Sequence, residues 1–304
     1  GTDINKLDFI RKRVYTHNAR IADRWKVGRV LLAGDAAHIM PVWQGQGYNT
    51  GMRDATNLAW KLAYVVKGLA SDTLLETYQT ERPRHAKAMI DLSVAAGRIF
   101  YPRNPLKARV RDFSTWVLNK IPAVRSYFSE MRYKPMPFYE DGVVVHDRAL
   151  GKTSPVGRMF IQPKVRTCEG DVKLLDEVLG KGFTLLAWGA DPNYWLTPRS
   201  RAILKALDAR IVTAKPVVQI HRSVDMTDNT EVIGDEQMRL KEWFGKHPGS
   251  IVVLRPDRFV AGLCFPVKVN ELLETVAGRM GLQVPAVADS QPAAGRPALV
   301  GEAA

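Results

Sequence analysis

The sequence predicts an α/β fold in two parts, and three observations carry that prediction. A short apolar run, Val30-Leu31-Leu32-Ala33, ends at Gly34 and passes through a glycine-rich loop into a helical pattern, the order in which a buried strand opens its carboxyl end toward a ligand. A stretch containing Pro135, Pro137, Gly142, Gly151, Pro155 and Gly157 then breaks all periodicity, as a connector between domains does. Beyond it, short apolar runs alternate with helical ones as far as Arg279. A hydrophobic content of 46% over 304 residues is enough to build two cores at the usual domain size.

In chain order, residues 13–17 alternate as a strand, and 18–26 lead to the apolar run at 30–33, which reads as a fully buried strand. Asp35 sits at that strand's mouth, where a carboxylate is positioned to accept hydrogen bonds from the hydroxyls of a bound sugar or polyol. Pro41 stiffens the loop that follows. Gly45 and Gly47 remove side chains where a ligand needs the main chain, and a helix beginning near Tyr48 points free N–H groups and its positive end at the same place. That helix runs to about Lys67 with Leu58, Leu62, Val65 and Val66 on its apolar face and Gly68 as its cap. A second helix covers 74–100, with Met89, Leu92 and Ala96 toward the core and Pro83 as a kink or restart. Residues 101–134 are helical pieces between Pro102, Pro105 and Pro122, packed by Trp116, Tyr127 and Phe128.

The expected organisation is therefore a first domain over 1–134, a connector over 135–153, a second domain over 154–282 and a disordered tail rich in alanine, proline and glycine over 283–304. In the second domain, strands are expected at 183–188, 210–212, 251–254 and 259–264, and helices at 198–209, 236–244 and 269–279. That order resembles a thioredoxin-like fold. Redox chemistry of that fold needs a Cys-x-x-Cys after the first strand, and the sequence there reads Gly189-Ala-Asp-Pro-Asn193.

Composition narrows the function classes. The net charge of +13 permits attraction to nucleic acid or membrane, but the basic residues are scattered among acids and aromatics without a stripe or an RNA-binding signature. A basic surface of this kind suits anionic small molecules better, such as a carboxylated aromatic or a nicotinamide dinucleotide. No apolar run is long enough to span a membrane. Cys168 and Cys264 fit no metal or dithiol spacing, which argues against a metal site and suits a reducing cytoplasm.

Gly34-Asp35-Ala36-Ala37-His38, then Pro41, then Gly45-Gln46-Gly47-Tyr48-Asn49, resembles the second flavin motif of the FAD-dependent aromatic hydroxylases, the group typified by para-hydroxybenzoate and phenol hydroxylases. The resemblance extends over nearly the whole chain through residues 52–62, Tyr78-Gln-Thr-Glu-Arg82 and Arg255-Pro-Asp-Arg-Phe-Val-Ala261. It implies the carboxyl-terminal part of an FAD-binding monooxygenase fold, followed by a thioredoxin-like domain that is structural or dimer-forming in the phenol-hydroxylase branch, so a homodimer is one expectation. It also implies that Asp35 binds the ribityl chain of FAD, while residues 41–49 lie along the pyrimidine side of the flavin ring. The implied reaction uses NADH or NADPH and O2. A flavin hydroperoxide transfers oxygen ortho to the hydroxyl of a phenolic acid such as 3-(3-hydroxyphenyl)propionate or 3-hydroxycinnamate. The Gly-x-Gly-x-x-Gly turn that holds the ADP half of FAD in this family is not in the sequence, so by resemblance the chain corresponds to a carboxyl-terminal portion that is expected neither to hold FAD tightly nor to hydroxylate by itself.

Several residues carry two readings at this level. Gly-x-Asp at a strand end is also ordinary turn chemistry, and Gly45-x-Gly47 is not a nucleotide fingerprint, because Thr50 replaces a third glycine. His38 either takes part in proton chemistry or holds the loop by hydrogen bonds. Met40 and Trp43 either wall an aromatic pocket or pack the core. Two further functions compete with the first: a related flavin monooxygenase of polyketides or antibiotics, and an inactive binding or dimerisation module.

Overall fold

The computed structural model of the chain describes residues 8, 10–11, 13–147, 153–220, 227 and 229–285. The chain divides into two units, Gly1–Ala63 with Leu75–Gly142, and Tyr64–Leu74 with Val143–Ala304. Residues 64–74 group with the second unit because Tyr64 donates to the carbonyl of Leu207 at 2.6 Å, Ser71 N–H donates to Gly281, and Ala70 bridges Leu282. The tail expected from 283 lies outside the described residues from 286 onward.

The first unit is short of strand and rich in helix. No strand forms at 13–17; the first is β1 (Arg20–Ile21), followed by β2 (Lys26–Val27), β3 (Val30–Leu31) and β4 (His38–Ile39). β1 pairs with β4, and β2 with β3, both antiparallel. Gly28, at φ +57°, makes the tight β2–β3 turn that glycine adopts without steric penalty. The run at 30–33 is thus not a fully buried strand. It is two residues of a hairpin, with Val30 and Ala33 exposed, because among the described residues it has a single partner strand and its open face is uncovered.

Two long helices dominate: α1 (Gln46–Val66) and α2 (Thr73–Phe100), the latter passing through Pro83 without interruption at the cost of one backbone hydrogen bond. Of the apolar face expected for α1, Leu58 is buried and Leu62 and Val65 are half-buried, but the buried surface extends further round the helix. Val66 is exposed, whereas Thr50, Asp54, Asn57 and Lys61, spaced three and four apart, are buried together with Leu58. They meet Glu81, Arg82 and His85 of α2. Lys61 Nζ donates to Glu81 Oε2 at 2.8 Å, Asn57 Nδ2 to the same oxygen at 2.6 Å, and Asn57 Nδ2 also reaches Tyr139 OH at 3.2 Å. α3 (Pro105–Leu118) and α4 (Pro122–Ser129) each begin on proline, which has no N–H to satisfy there, and Asn104 caps α3. Neither buries a residue. Trp116, Tyr127 and Phe128, expected to pack, are exposed, with ring contacts to the nearby Phe113 and Tyr133.

The second unit contains β5 (Lys164–Arg166), β6 (Val172–Leu174), α5 (Leu175–Leu179), β7 (Thr184–Trp188), α6 (Pro198–Ala206), β8 (Arg210–Pro216), β9 (Thr230–Asp235), α7 (Arg239–Gly245), β10 (Ile251–Leu254), β11 (Val260–Cys264) and α8 (Val269–Met280). They build one sheet in the order β11-β10-β7-β8-β9-β5-β6, with β7, β8 and β9 parallel and β10, β11, β5 and β6 joined antiparallel. β5, β6, β9 and α5 have no counterpart in the sequence reading. Two buried polar clusters set its loops. Arg255 is fully buried and paired with Asp257 through Nε at 3.0 Å and a second nitrogen at 2.6 Å, which shapes the β10–β11 turn. Asp191, in the loop after β7, accepts from the N–H groups of Asn193 and Thr227 and the hydroxyls of Thr227 and Thr230 at 2.8–2.9 Å. Burial opposes its charge, yet those donors outweigh it and lower its pKa.

The Lys61–Glu81 pair has both side chains fully buried. Lys61→Met, which leaves Glu81 charged in the interface, is expected to lower unfolding free energy by about 3–5 kcal/mol. The urea midpoint checks this, and an unshifted midpoint would show that the pair is solvated.

Candidate functional site

The turn that follows β3 is built from its anchor outward. Gly34, at φ +58°, begins a 3-10 turn over Gly34–Ala36, and its N–H donates to Asp54 Oδ2 at 3.1 Å. His38 Nε2 donates to the same oxygen at 2.8 Å, and Arg82 Nε reaches Oδ1 at 2.9 Å. Asp54, His38 and Arg82 are each at most 1% exposed. One carboxylate on α1 therefore ties the start of the turn, the strand after it and α2 to a single point. Close packing reinforces this, since a Cβ on Gly51 of α1 would stand 3.2 Å from Gly34 Cα. Beneath lies Trp25, fully buried between the rings of His38 and Tyr78, with Tyr78 OH donating to the Leu32 carbonyl at 2.9 Å.

The residues singled out in the sequence separate into two groups on this frame. Asp35 and Ala36 are exposed on the turn, and among the described residues Asp35 has no side-chain partner. Pro41 is buried and leads into a second 3-10 turn, Val42–Gln44, which ends at Gly45 with φ +59°. α1 begins at Gln46, whose side chain donates to the Gln44 carbonyl; Tyr48 is exposed, and Asn49 donates back to Gly45. Gly45 has nothing within 4 Å of a built Cβ, and Gly47 only Met40 Cγ at 3.9 Å. Space for a side chain thus exists at both glycines within this chain, a cradle that a bound group would fill. His38 and Met40 face inward instead. His38 is held by Asp54, and Met40 packs with Met89 and Ile90. Trp43 lines a cavity beside Pro41.

This arrangement fits the isoalloxazine and ribityl portions of a flavin: an unpaired exposed carboxylate for hydroxyls, and a helix start whose first N–H groups have no partner within the helix, next to glycines that leave the main chain open. Asp54 and Arg82 were not singled out as site residues. The available signal was their spacing, since the i, i+3, i+4 run of polar side chains on α1 makes sense only against a charged partner helix.

His85 adjoins this network, with Nδ1 3.3 Å from Arg82 and Nε2 donating to the Pro135 carbonyl at 3.2 Å. Burial, then the charges of Arg82 and Arg53, push its pKa down to about 4 from 6.5. It is neutral in the folded chain above that value, whereas the unfolded chain takes up the proton from 6.5 downward, so stability is expected to fall as pH drops from 6.5 to 4. His85→Gln should flatten that part of the profile; a slope unchanged by the substitution would remove His85 as its source. Separately, Asp54→Ala strands a buried guanidinium and is expected to cost about 3–5 kcal/mol, while Asp35→Ala leaves stability unchanged. Equal thermal midpoints for the two variants would contradict the anchor.

The FAD binding domain family matches residues 1–93, and the HcaD C-terminal domain family matches residues 157–279. The chain is 54% identical over 280 residues to a 3-(3-hydroxy-phenyl)propionate/3-hydroxycinnamic acid hydroxylase of Klebsiella pneumoniae (strain 342), a match covering 92% of this chain and 50% of that protein. It is 52% identical over 281 residues to the protein of the same name in Escherichia coli O157:H7 (strain EC4115 / EHEC), again over 92% and 50%. The chain thus spans about half the length of the curated relatives it matches. Among solved structures, the flavin-dependent monooxygenase PieE in complex with FAD and substrate has the same fold over 88% of this chain and 50% of its own, at a TM-score of 0.60 and 19% identity. With the motif turn, its helix and both family matches in agreement, the chain belongs to the FAD-dependent aromatic hydroxylases.

Proposed function

We propose that the protein containing this chain hydroxylates the ring of a phenolic acid ortho to its hydroxyl, with FAD as cofactor, NADH or NADPH as electron donor and O2 as co-substrate. The substrate class follows from the names of the relatives, 3-(3-hydroxyphenyl)propionate and 3-hydroxycinnamate being the first candidates. The balance is ArH + O2 + NAD(P)H + H+ to ArOH + H2O + NAD(P)+. The observation that carries the reading is the exposed, unpartnered Asp35 beside the open glycines of the α1 start, all fixed by the buried Asp54 anchor.

FAD, when bound, supplies the activation of O2 and the oxygen transfer. The chain's own groups bind and orient. Asp35 accepts from ribityl hydroxyls, and the main-chain N–H groups of the first α1 turn offset negative charge on the pyrimidine edge of the ring. The Asp54 anchor holds those donors in place before the cofactor arrives, so that little reorganisation is needed. His38 acts by positioning, since its Nε2 is committed to Asp54 and the side chain is buried.

We read the second unit as a thioredoxin-like support. Its β11-β10-β7-β8 order with parallel β7 and β8 favours that reading, and the Asp191 cluster occupies the loop where a dithiol would stand. Cys168 and Cys264 are free, and burial pushes the Cys264 thiol up to about 12, away from reactivity. Free thiols and a nicotinamide donor favour the cytoplasm. No described helix is long and apolar enough to cross a membrane.

The test uses the full-length protein. Oxygen-dependent NADH oxidation should be stimulated by 3-(3-hydroxyphenyl)propionate and yield the catechol, more so than with tetracyclic polyketide phenols; the reverse preference would move the protein to another branch of the family. Asp35→Ala should weaken FAD binding roughly tenfold to a hundredfold, the worth of one or two charge-assisted hydrogen bonds. An unchanged FAD dissociation constant would remove Asp35 from the cofactor site.

A further inference from the structure

The Val42–Gln44 turn opens onto a cavity of about 840 Å³ within the first unit, a volume suited to a small organic ligand. One wall is aromatic. The Trp43 indole lies between His17, at a ring separation of 5.0 Å, and Tyr101, at 4.7 Å. Its seat is Gly97 on α2, where a Cβ would come within 2.4 Å of Trp43 Nε1. A glycine inside a helix costs stability relative to alanine, so here it is the indole's position that accounts for it.

The lining is also cationic. Arg98, Arg103, Lys107 and Arg111 line the cavity, and no aspartate or glutamate does. Arg111 is committed: it donates to the Ile99 and Phe100 carbonyls at the end of α2 and pairs with Asp112. Arg98, Arg103 and Lys107 have no carboxylate partner among the described residues, in a chain where most other described charges near α2 are paired. Three like charges around one aromatic-walled space repel one another unless an anion joins them.

Resting on the hydroxylase reading, we propose that this cavity binds the aromatic acid itself, with Trp43 against the ring and Arg98, Arg103 and Lys107 receiving the carboxylate. Guanidinium groups suit that end of the molecule because they take a carboxylate through two parallel hydrogen bonds. The cations are specificity residues. They select the acid over its neutral analogue and leave the chemistry at the ring untouched. Gly97 is a positioning residue that acts through Trp43.

Calorimetric titration of the full-length protein with 3-(3-hydroxyphenyl)propionate and with the neutral 3-(3-hydroxyphenyl)propan-1-ol separates the possibilities. The wild type should bind the acid at least tenfold tighter. Arg98→Met, Arg103→Met and Lys107→Met should each reduce that preference severalfold, the triple variant should abolish it, and binding of the alcohol should not change. Gly97→Ala should weaken both ligands alike. The cations are exposed and unpaired, so these variants fold, and far-ultraviolet circular dichroism checks it. The proposal is overturned if the wild type does not prefer the acid, if the triple variant keeps the preference, or if the variants raise KM for the nicotinamide donor while the preference stands. If no phenol stimulates NADH oxidation but the acid preference exists and depends on these cations, the hydroxylation reading falls and the binding assignment stands.

Discussion

A single carboxylate, Asp54, organises the first unit. It receives the Gly34 N–H, the His38 ring and the Arg82 guanidinium while itself fully buried. An isolated charge there would be prohibitively costly; with donors on both oxygens the penalty is offset, and the same satisfaction makes the geometry hard to alter. The candidate residues Asp35 and Gly47 make few contacts of their own within the fold. Their placement is inherited from Asp54, which lies seven residues, about two helical turns, past the last of them.

The same logic extends along the interface between α1 and α2. Asp54–Arg82 and Lys61–Glu81 are both buried ion pairs, and Asn57 donates both to Glu81 and to the Tyr139 hydroxyl. Apolar contacts would hold two helices together at several registers, whereas directional pairs at 2.6–2.9 Å allow few. A loop that presents main chain beside a helix start is held in one place by such an interface. Neutral His85, sitting beside Arg82, adds a hydrogen-bond acceptor without adding another positive charge.

The second unit is built the other way. Its sheet buries nearly every residue of β7, β10 and β11, and buried polar clusters hold loops at Asp191 and at Arg255–Asp257. The Arg255-to-Ala261 segment, one of the stretches that carries the family resemblance, is such a loop: Arg255 and Asp257 brace a hairpin whose Arg258 has φ +66°.

Sequence alone determined what depends on local order. The strand-turn-helix with Asp35 and two glycines, the two long helices, the alternation of strands and helices after the connector and the absence of a dithiol at residues 189–193 are all properties of neighbouring residues, and they identify the family. Tertiary structure decided what depends on partners distant in the chain. Apolar spacing pointed to Leu58, Leu62, Val65 and Val66 as the buried side of α1; Leu58 is buried, but Val66 is exposed and the polar row of Asp54, Asn57 and Lys61 is covered as well, because Glu81 and Arg82 arrive from α2 to pair with it. Residues 30–33 are apolar enough for a buried strand, yet hydrophobicity cannot supply the neighbouring strands that bury one. Met40 and Trp43, two residues alike in kind and three apart, part company for the same reason: Met89 and Ile90 take the first into the core, and the space left at Gly97 holds the second against the cavity. Burial is a property of pairs of surfaces, and a sequence lists only one of each pair at a time.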